Sequence, residues 1–336
     1  MKRIISLILV LVLALSLGVG CSQGGNEGEE KAFPYEKTVE IIAPASPGGG
    51  WDSTARALQK VIVDNKLAGD VNVVVSNLPG GNGSIAWNGL IDEKNPHKIA
   101  MDSSYIYLNS MLGIEGAPSI DDVTPIATLT NEWIGVFVSI DSPYNSINDL
   151  FDAVKADVNS VQFVVAPGKG NDDHLATLTT AKAYGIDVTE FDKTIVATDT
   201  SEILTGIMGG FYDACFTGAL EGLEFVEAGN LKCLGITSNE RYEGKFDYIP
   251  TIQEQGVDVV FPHWRGLLGA PGMTEEEIAW WNELIEAAIA TDDWKEILDN
   301  NEWVSYYRNS ADTKAMWEEE IVNYESLVEA AGLMVK

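Results

Sequence analysis

The chain has 336 residues, 21 lysines and arginines against 51 acids, a formal charge of −30 and three cysteines. So acidic a surface excludes nucleic acid and anionic lipid as partners of a folded body. Three scattered histidines (His97, His174 and His263) and no zinc-type cysteine spacing point to no metal site.

Lys2 and Arg3 precede a run from Ile4 to Leu17 that is apolar except for Ser6 and Ser16, and small residues then lead to Cys21. This order predicts a secretory signal peptide over residues 1–20, because the apolar core is short for a membrane span and a polar segment follows it. Cys21 reads as the lipidated first residue of a mature lipoprotein. Leu17 sits one position upstream of its usual place in that motif, so cleavage of a simple signal peptide nearby is the alternative. Residues 21–33 are rich in glycine and glutamate without an apolar period, which suits a flexible tether. Losing residues 1–20 removes Lys2 and Arg3 and no acid, so −30 becomes −32. Roughly 300 residues remain, enough for two domains with cores of their own. Screening limits what that charge does to an anionic ligand, since local N–H donors in a cleft act at short range.

Val39, Ile41 and Ile42 predict a short buried strand ended by Pro44 and Pro47. Gly48, Gly49 and Gly50 follow, and Ala55, Leu58, Val61 and Ile62 recur at helical spacing after a cap at Asp52 or Ser53. A strand, a glycine loop and a helix start form a place where backbone N–H groups and the helix dipole favour an anion. The alternative is a plain turn. A second such loop follows the strand Val71–Val75: Asn77-Leu78-Pro79-Gly80-Gly81-Asn82-Gly83-Ser84 leads into a helix around Ile85–Leu90. Two anion-friendly helix starts suit a ligand with more than one carboxylate. Gly81-x-Gly83-x-x-Ala86 with Asp102 also fits a dinucleotide fingerprint, but several residues separate its glycines from the strand, so no cofactor is expected.

Strands are predicted at Lys98–Asp102, Thr124–Leu129, Ile134–Ile140, Gln162–Ala166, Thr194–Ala197, Ala214–Phe216 and Leu231–Ile236, with helices at Ser146–Val158, Asp172–Tyr184, Ser201–Met208 and Ala219–Glu227. This alternation predicts an α/β fold with mainly parallel sheets. A third loop, Val165 to His174, again joins a strand to a helix. It is not a P-loop, since no glycine precedes Gly168-Lys169 at the required spacing. Lys169 is a candidate for a carboxylate or an exposed cleft-edge residue. Cys215 and Cys233 fall on strand-like segments and read as two buried thiols or, given the compartment, a disulfide. Thr274 and Glu277 form a capping box before a helix, Trp303–Tyr307 reads as a last strand and Ala311–Ala331 as a closing helix. Trp280, Trp281, Trp294 and Trp317 read as packing residues.

Arg265 stands out: after Arg3 only Arg56, Arg241, Arg265 and Arg308 remain, and Arg265 lies between the apolar stretches Val259–Phe261 and Gly266–Ala270. A guanidinium there can hold a carboxylate through two parallel hydrogen bonds, or form a structural ion pair with one of the many acids.

The segments PGGGWDSTARAL, NLPGGNGS, GKGNDDHLA and IPTIQEQGVDVVFPHWRGLLGAPG, with the spacing between them, resemble the substrate-binding proteins of tripartite tricarboxylate transporters, the Bug-type family. The resemblance runs from Pro34 to the C-terminus and is closest to the tricarboxylate-binding branch. It implies a two-domain periplasmic-binding-protein fold of type II with a two-strand hinge. Domain one is then 34–130 plus 237–336 and domain two 131–236. It further implies a monomer outside the cytoplasm that holds a citrate-like di- or tricarboxylate in an interdomain cleft and serves integral membrane transporter subunits. Candidate contacts are Ser46, Gly48, Gly49, Gly50, Trp51, Asp52, Asn77, Gly80, Gly81, Asn82, Ser104, Lys169, Gly170, Asn171, His174, Thr198, Thr200, Thr217 and Arg265. Asn171 and His174 match polar positions of the family motif. Asp199-Thr200-Ser201 replaces the family's glycine-rich turn, so the backbone contacts there differ.

Two further readings share this fold. An enzyme would need a nucleophile with its base, a paired-acid site or a metal cluster, and Ser46 and Ser84 have no histidine near them in sequence. A ligand sensor for a signalling receptor would use the same cleft.

Overall fold

The computed structural model describes residues 33–166, 168–198 and 202–335. The expected signal peptide, Cys21 and Thr200 therefore lie outside the described residues. Strands β1 (Thr38–Ala43), β2 (Asn72–Asn77) and β3 (Lys98–Asp102) alternate with helices α1 (Gly50–Asp64), α2 (Ser84–Glu93) and α3 (Tyr105–Met111). Strand β4 (Thr124–Ser139) leads to α4 (Ile147–Ala156), β5 (Phe163–Val165), α5 (Asp172–Ala183), α6 (Val188–Asp192), β6 (Val196–Ala197) and α7 (Ile203–Met208). After β7 (Ala214–Gly218), α8 (Ala219–Glu227) and β8 (Leu231–Ile236), the chain returns through β9 (Pro262–Gly269), α9 (Glu275–Ile289), α10 (Asp292–Asn300), β10 (Val304–Arg308) and α11 (Ser310–Ala330).

The sequence marks two separate strands in what proves to be the single strand β4. Its first half pairs with β9 and β10 and its second half with β7 and β8, so one strand of 16 residues runs through both halves of the sheet. The pairing changes hands between Trp133, opposite Pro262, and Ile134, opposite Gly218. Thr237 clasps this point from the side. Its N–H donates to the Ile134 carbonyl at 2.9 Å, and its hydroxyl donates to the Phe261 carbonyl at 2.7 Å.

The sheet is more mixed than the alternation suggests. The outer pairs β1–β2, β1–β3, β5–β6 and β5–β7 are parallel, while every pairing of β4 and β9 is antiparallel. The sequence reading misses β9 as a strand, because Pro262 opens it and Gly266 and Gly269 break its apolar pattern.

One buried cluster runs through both halves, and the first half adds a core dictated by local periodicity. Ala55, Leu58, Val61 and Ile62 form the buried stripe of α1 and pack with Val39, Ile41 and Ala43 of β1 and with Trp281 and Ile285 of α9. The Thr274–Glu277 capping box starts α9 as its sequence predicts. Trp281, Trp294 and Trp317 are fully buried packing residues. Cys215 and Cys233 are free thiols. Both sit opposite Phe137, Cys215 on β7 and Cys233 on β8, so β4 lies between them and a disulfide is ruled out.

Candidate ligand-binding site

The first glycine loop is held from within. Gly49 N–H donates to the Ser46 carbonyl at 3.0 Å, and Gly48 N–H donates to Asp52 Oδ2 at 2.8 Å. Asp52 also accepts from Arg56 Nε at 2.9 Å and Asn77 Nδ2 at 2.7 Å, and Asn77 Nδ2 reaches the Ala45 carbonyl at 3.0 Å. Burial alone would raise the Asp52 pKa, but these bonds and the Arg56 charge overcome it and hold the carboxyl at about 2. The side chains of Asp52 and Asn77 thus tie the two loops of the first half together. What the loop leaves for a ligand is the backbone at the start of α1, where first-turn amides have no intrahelical acceptor. A Cβ at Gly50 would lie 2.8 Å from Arg265 Nη2, so glycine here is what lets the guanidinium rest against the loop.

The second loop takes left-handed backbone at Gly80, Gly81, Asn82 and Gly83. Asn109 of α3 fixes it, donating to the Gly81 and Asn82 carbonyls at 3.2 and 3.0 Å. Gly80, Gly81 and Asn82 do not line the central cavity.

That cavity, of about 160 Å³, lies where β4 passes from one half of the sheet to the other. Tyr105 of α3, Glu132 of β4 and His263 and Arg265 of β9 bound it on one side. Asn171, Asp172 and Asp173 at the start of α5, with Thr217, Gly218 and Glu221 at the β7–α8 junction, bound it on the other. Arg265 Nη2 meets Glu132 Oε2 at 3.0 Å, and both side chains are buried. His263 Nδ1 lies 3.0 Å from Asp172 Oδ2, while Ser104 Oγ donates to Asp172 Oδ1 at 2.6 Å. Burial would lower the His263 pKa, yet its contact with Asp172 outweighs this and raises it. Burial pushes the Asp173 carboxyl well above its ordinary range, and burial together with the Glu132 charge raises Glu221. The chemistry on offer is a guanidinium, an imidazole biased toward its cation, helix-start amides and several carboxylates.

The model of the tripartite tricarboxylate transporter family receptor matches residues 54–333. The chain belongs to that family. This receptor is 25% identical to Protein BugT of Bordetella pertussis over 268 residues, 75% of this chain and 76% of BugT. It superposes on MatC of Rhodopseudomonas palustris with bound malate at a TM-score of 0.70 and 20% identity, covering 88% of this chain and 100% of MatC. A further R. palustris protein, with adipate, gives a TM-score of 0.72 at 20% identity over 89% and 98% of the two chains. The fold of the receptor is accordingly the type II periplasmic-binding-protein fold.

Of the residues the sequence singles out, the structure brings Asn171, Thr217 and Arg265 to the cavity, with Ser104 behind Asp172 and Gly50 behind Arg265. Trp51 serves from one layer out. Its Nε1 donates to the Asp102 carbonyl at 3.2 Å and its ring meets Tyr105 edge-on. Ser46 and Gly48 are exposed and do not line the cavity. His174 has a different post from the one expected. It is fully buried, accepts from Gly170 N–H at Nδ1 (2.9 Å) and meets Asp192 Oδ1 at Nε2 (2.7 Å). Lys169 is drawn to the same acid, 3.1 Å from Asp192 Oδ2. Both side chains staple the Gly168–Asn171 loop to α6, and Gly170 packs against Leu112. Thr198 donates to Glu202 Oε2 at 2.8 Å, away from the cavity. The reading missed Tyr105, Glu132, Asp172, Asp173, Glu221 and His263. Glu132 had a visible signal, as the lone charge in a 16-residue strand that is otherwise mostly apolar.

Proposed function

We propose that this receptor works outside the cytoplasm as a monomer, anchored through a lipid on Cys21, and delivers a small carboxylate from the central cavity to integral membrane subunits of a tripartite transporter. Arg265 carries the reading. It is a buried guanidinium that faces the cavity, lies against the start of α1 and engages Glu132 through Nη2 alone among the described contacts. Its remaining donors suit a ligand carboxylate, and the first-turn amides of α1 suit a second. Malate and adipate in the two R. palustris structures support a di- or tricarboxylate as the class. Closure would turn on β4 and Thr237, with 34–130 plus 237–336 moving against 131–236, since few backbone angles need change there.

Calorimetric titration with malate, adipate and citrate tests the reading. At least one should bind, and the bound protein should be more compact in small-angle scattering. Heat signals at background level for these and other small carboxylates would overturn it.

A further inference from the structure

We infer that the solute selected by this cavity carries a cationic nitrogen as well as a carboxylate, the nitrogen lying between Asp173 and Glu221. The inference rests on the receptor reading and narrows it. One guanidinium, that of Arg265, and one imidazole, that of His263, face four carboxylates in the cavity wall. Glu132 is matched by Arg265 at 3.0 Å and Asp172 by His263 at 3.0 Å. Asp173 and Glu221 have no ion-pair partner among the described residues. Asp173 is 8% exposed, and the nearby Thr217 hydroxyl donates to Glu221 Oε2 at 3.2 Å.

An unpaired buried carboxylate such as Asp173 is costly, and a helix start reduces that cost without removing it, whereas Glu221 is exposed to solvent beside it. Asp173 stands in the first turn of α5 and Glu221 in the first turn of α8. A ligand bearing only carboxylates would bring more negative charge into this space, with Glu132 and Asp172 also facing it. An ammonium group would instead meet two uncompensated acids, while the ligand's carboxylate meets Arg265 and the start of α1. Tyr105, the remaining titratable wall residue, carries no charge at neutral pH. The raised pKa values of Asp173 and Glu221 add a signature, since an ammonium would favour their ionised forms and binding would release protons.

Two matched pairs test this by calorimetry: adipate against 6-aminohexanoate, and glutarate against glutamate. In at least one pair the amine-bearing member should bind about tenfold tighter or more. Asp173→Asn should shrink that preference toward unity, and Glu221→Gln provides the same test if the first variant does not fold. Titrating the unmodified protein in buffers of different ionisation enthalpy should show proton release. Equal or tighter binding of the amine-free acid in both pairs, or proton uptake with the amine-bearing ligand, overturns the inference and leaves the receptor reading standing. Silence from all four acids counts against both.

Discussion

The loops before α1 and α5 have one design and opposite outcomes. Each joins a strand to a helix through glycines, and each offers helix-start amides to an anion. Before α1, the only first-turn acid is Asp52, which turns back to bind Gly48, Arg56 and Asn77. The helix start is left open toward Arg265. Before α5, the first turn holds Asp172 and Asp173, and both face the cavity. The motif names a helix start. The direction of its first-turn side chains decides which charge is welcome there.

The largest effect that would sharpen this contrast comes from Arg265→Gln. It removes the cation on the α1 side and leaves Glu132 buried without a partner. Affinity for the best-binding acid should fall by about 30-fold or more, as expected for loss of a charge-assisted pair. The double variant with Glu132→Gln should recover stability in denaturant melts without recovering affinity. Near wild-type binding in Arg265→Gln would break the comparison by making the arginine purely structural.

Gly50→Ala comes next. Its Cβ would displace the guanidinium rather than backbone, so melting should stay close to wild type while affinity drops about tenfold. An unchanged dissociation constant would mean that the contact between Arg265 and the loop plays no part in binding.

The two first-turn acids should respond to pH with opposite signs. Asp52 has a folded pKa of about 2 against 3.8, so the stability it contributes is present above 3.8 and lost as pH falls toward 2. Because Arg56 is half exposed, screening limits this to about 1–2 kcal/mol. Asp52→Asn should therefore destabilise at neutral pH and become neutral near pH 2. Asp173 is shifted upward, so its stabilising contribution exists below 3.8 and is lost as pH rises. Asp173→Asn should match wild type in acid and exceed it at neutral pH. Urea melts across pH check both, and parallel profiles would refute the contrast.

Lys169→Met should have the smallest effect. Its partner is Asp192, so affinity should change by less than about threefold, while amide exchange at Gly170 and Asn171 quickens slightly. A large loss of affinity would return Lys169 to the ligand.

Much of the fold was legible because its signals are local. The α1 stripe, the α9 capping box and the β3 and β8 boundaries follow from apolar spacing and cap chemistry within a few residues. The family motifs likewise contain Arg265 and Asn171, which the structure brings to the cavity. The continuity of β4 and the strand nature of β9 were not legible, because each depends on what lies beside the segment. His174 shows the same limit. A histidine after a glycine loop reads as a ligand contact until Asp192, 18 residues later in sequence, takes its Nε2.

By itself, then, the sequence determined an α/β chain with glycine loops before helices, a scarce arginine in an apolar stretch and an overall acidic charge. These are properties of composition and short-range geometry, which propensity and hydrogen-bonding rules convert directly into structure. Only the tertiary structure decided which acids are paired. Glu132 meets Arg265 across 133 residues and Asp172 meets His263 across the two halves of the sheet, while Asp173 and Glu221 face the cavity with no ion-pair partner among the described residues. Charge pairing acts over a few ångströms in space and is indifferent to separation along the chain, so folding alone settles the charge a ligand meets.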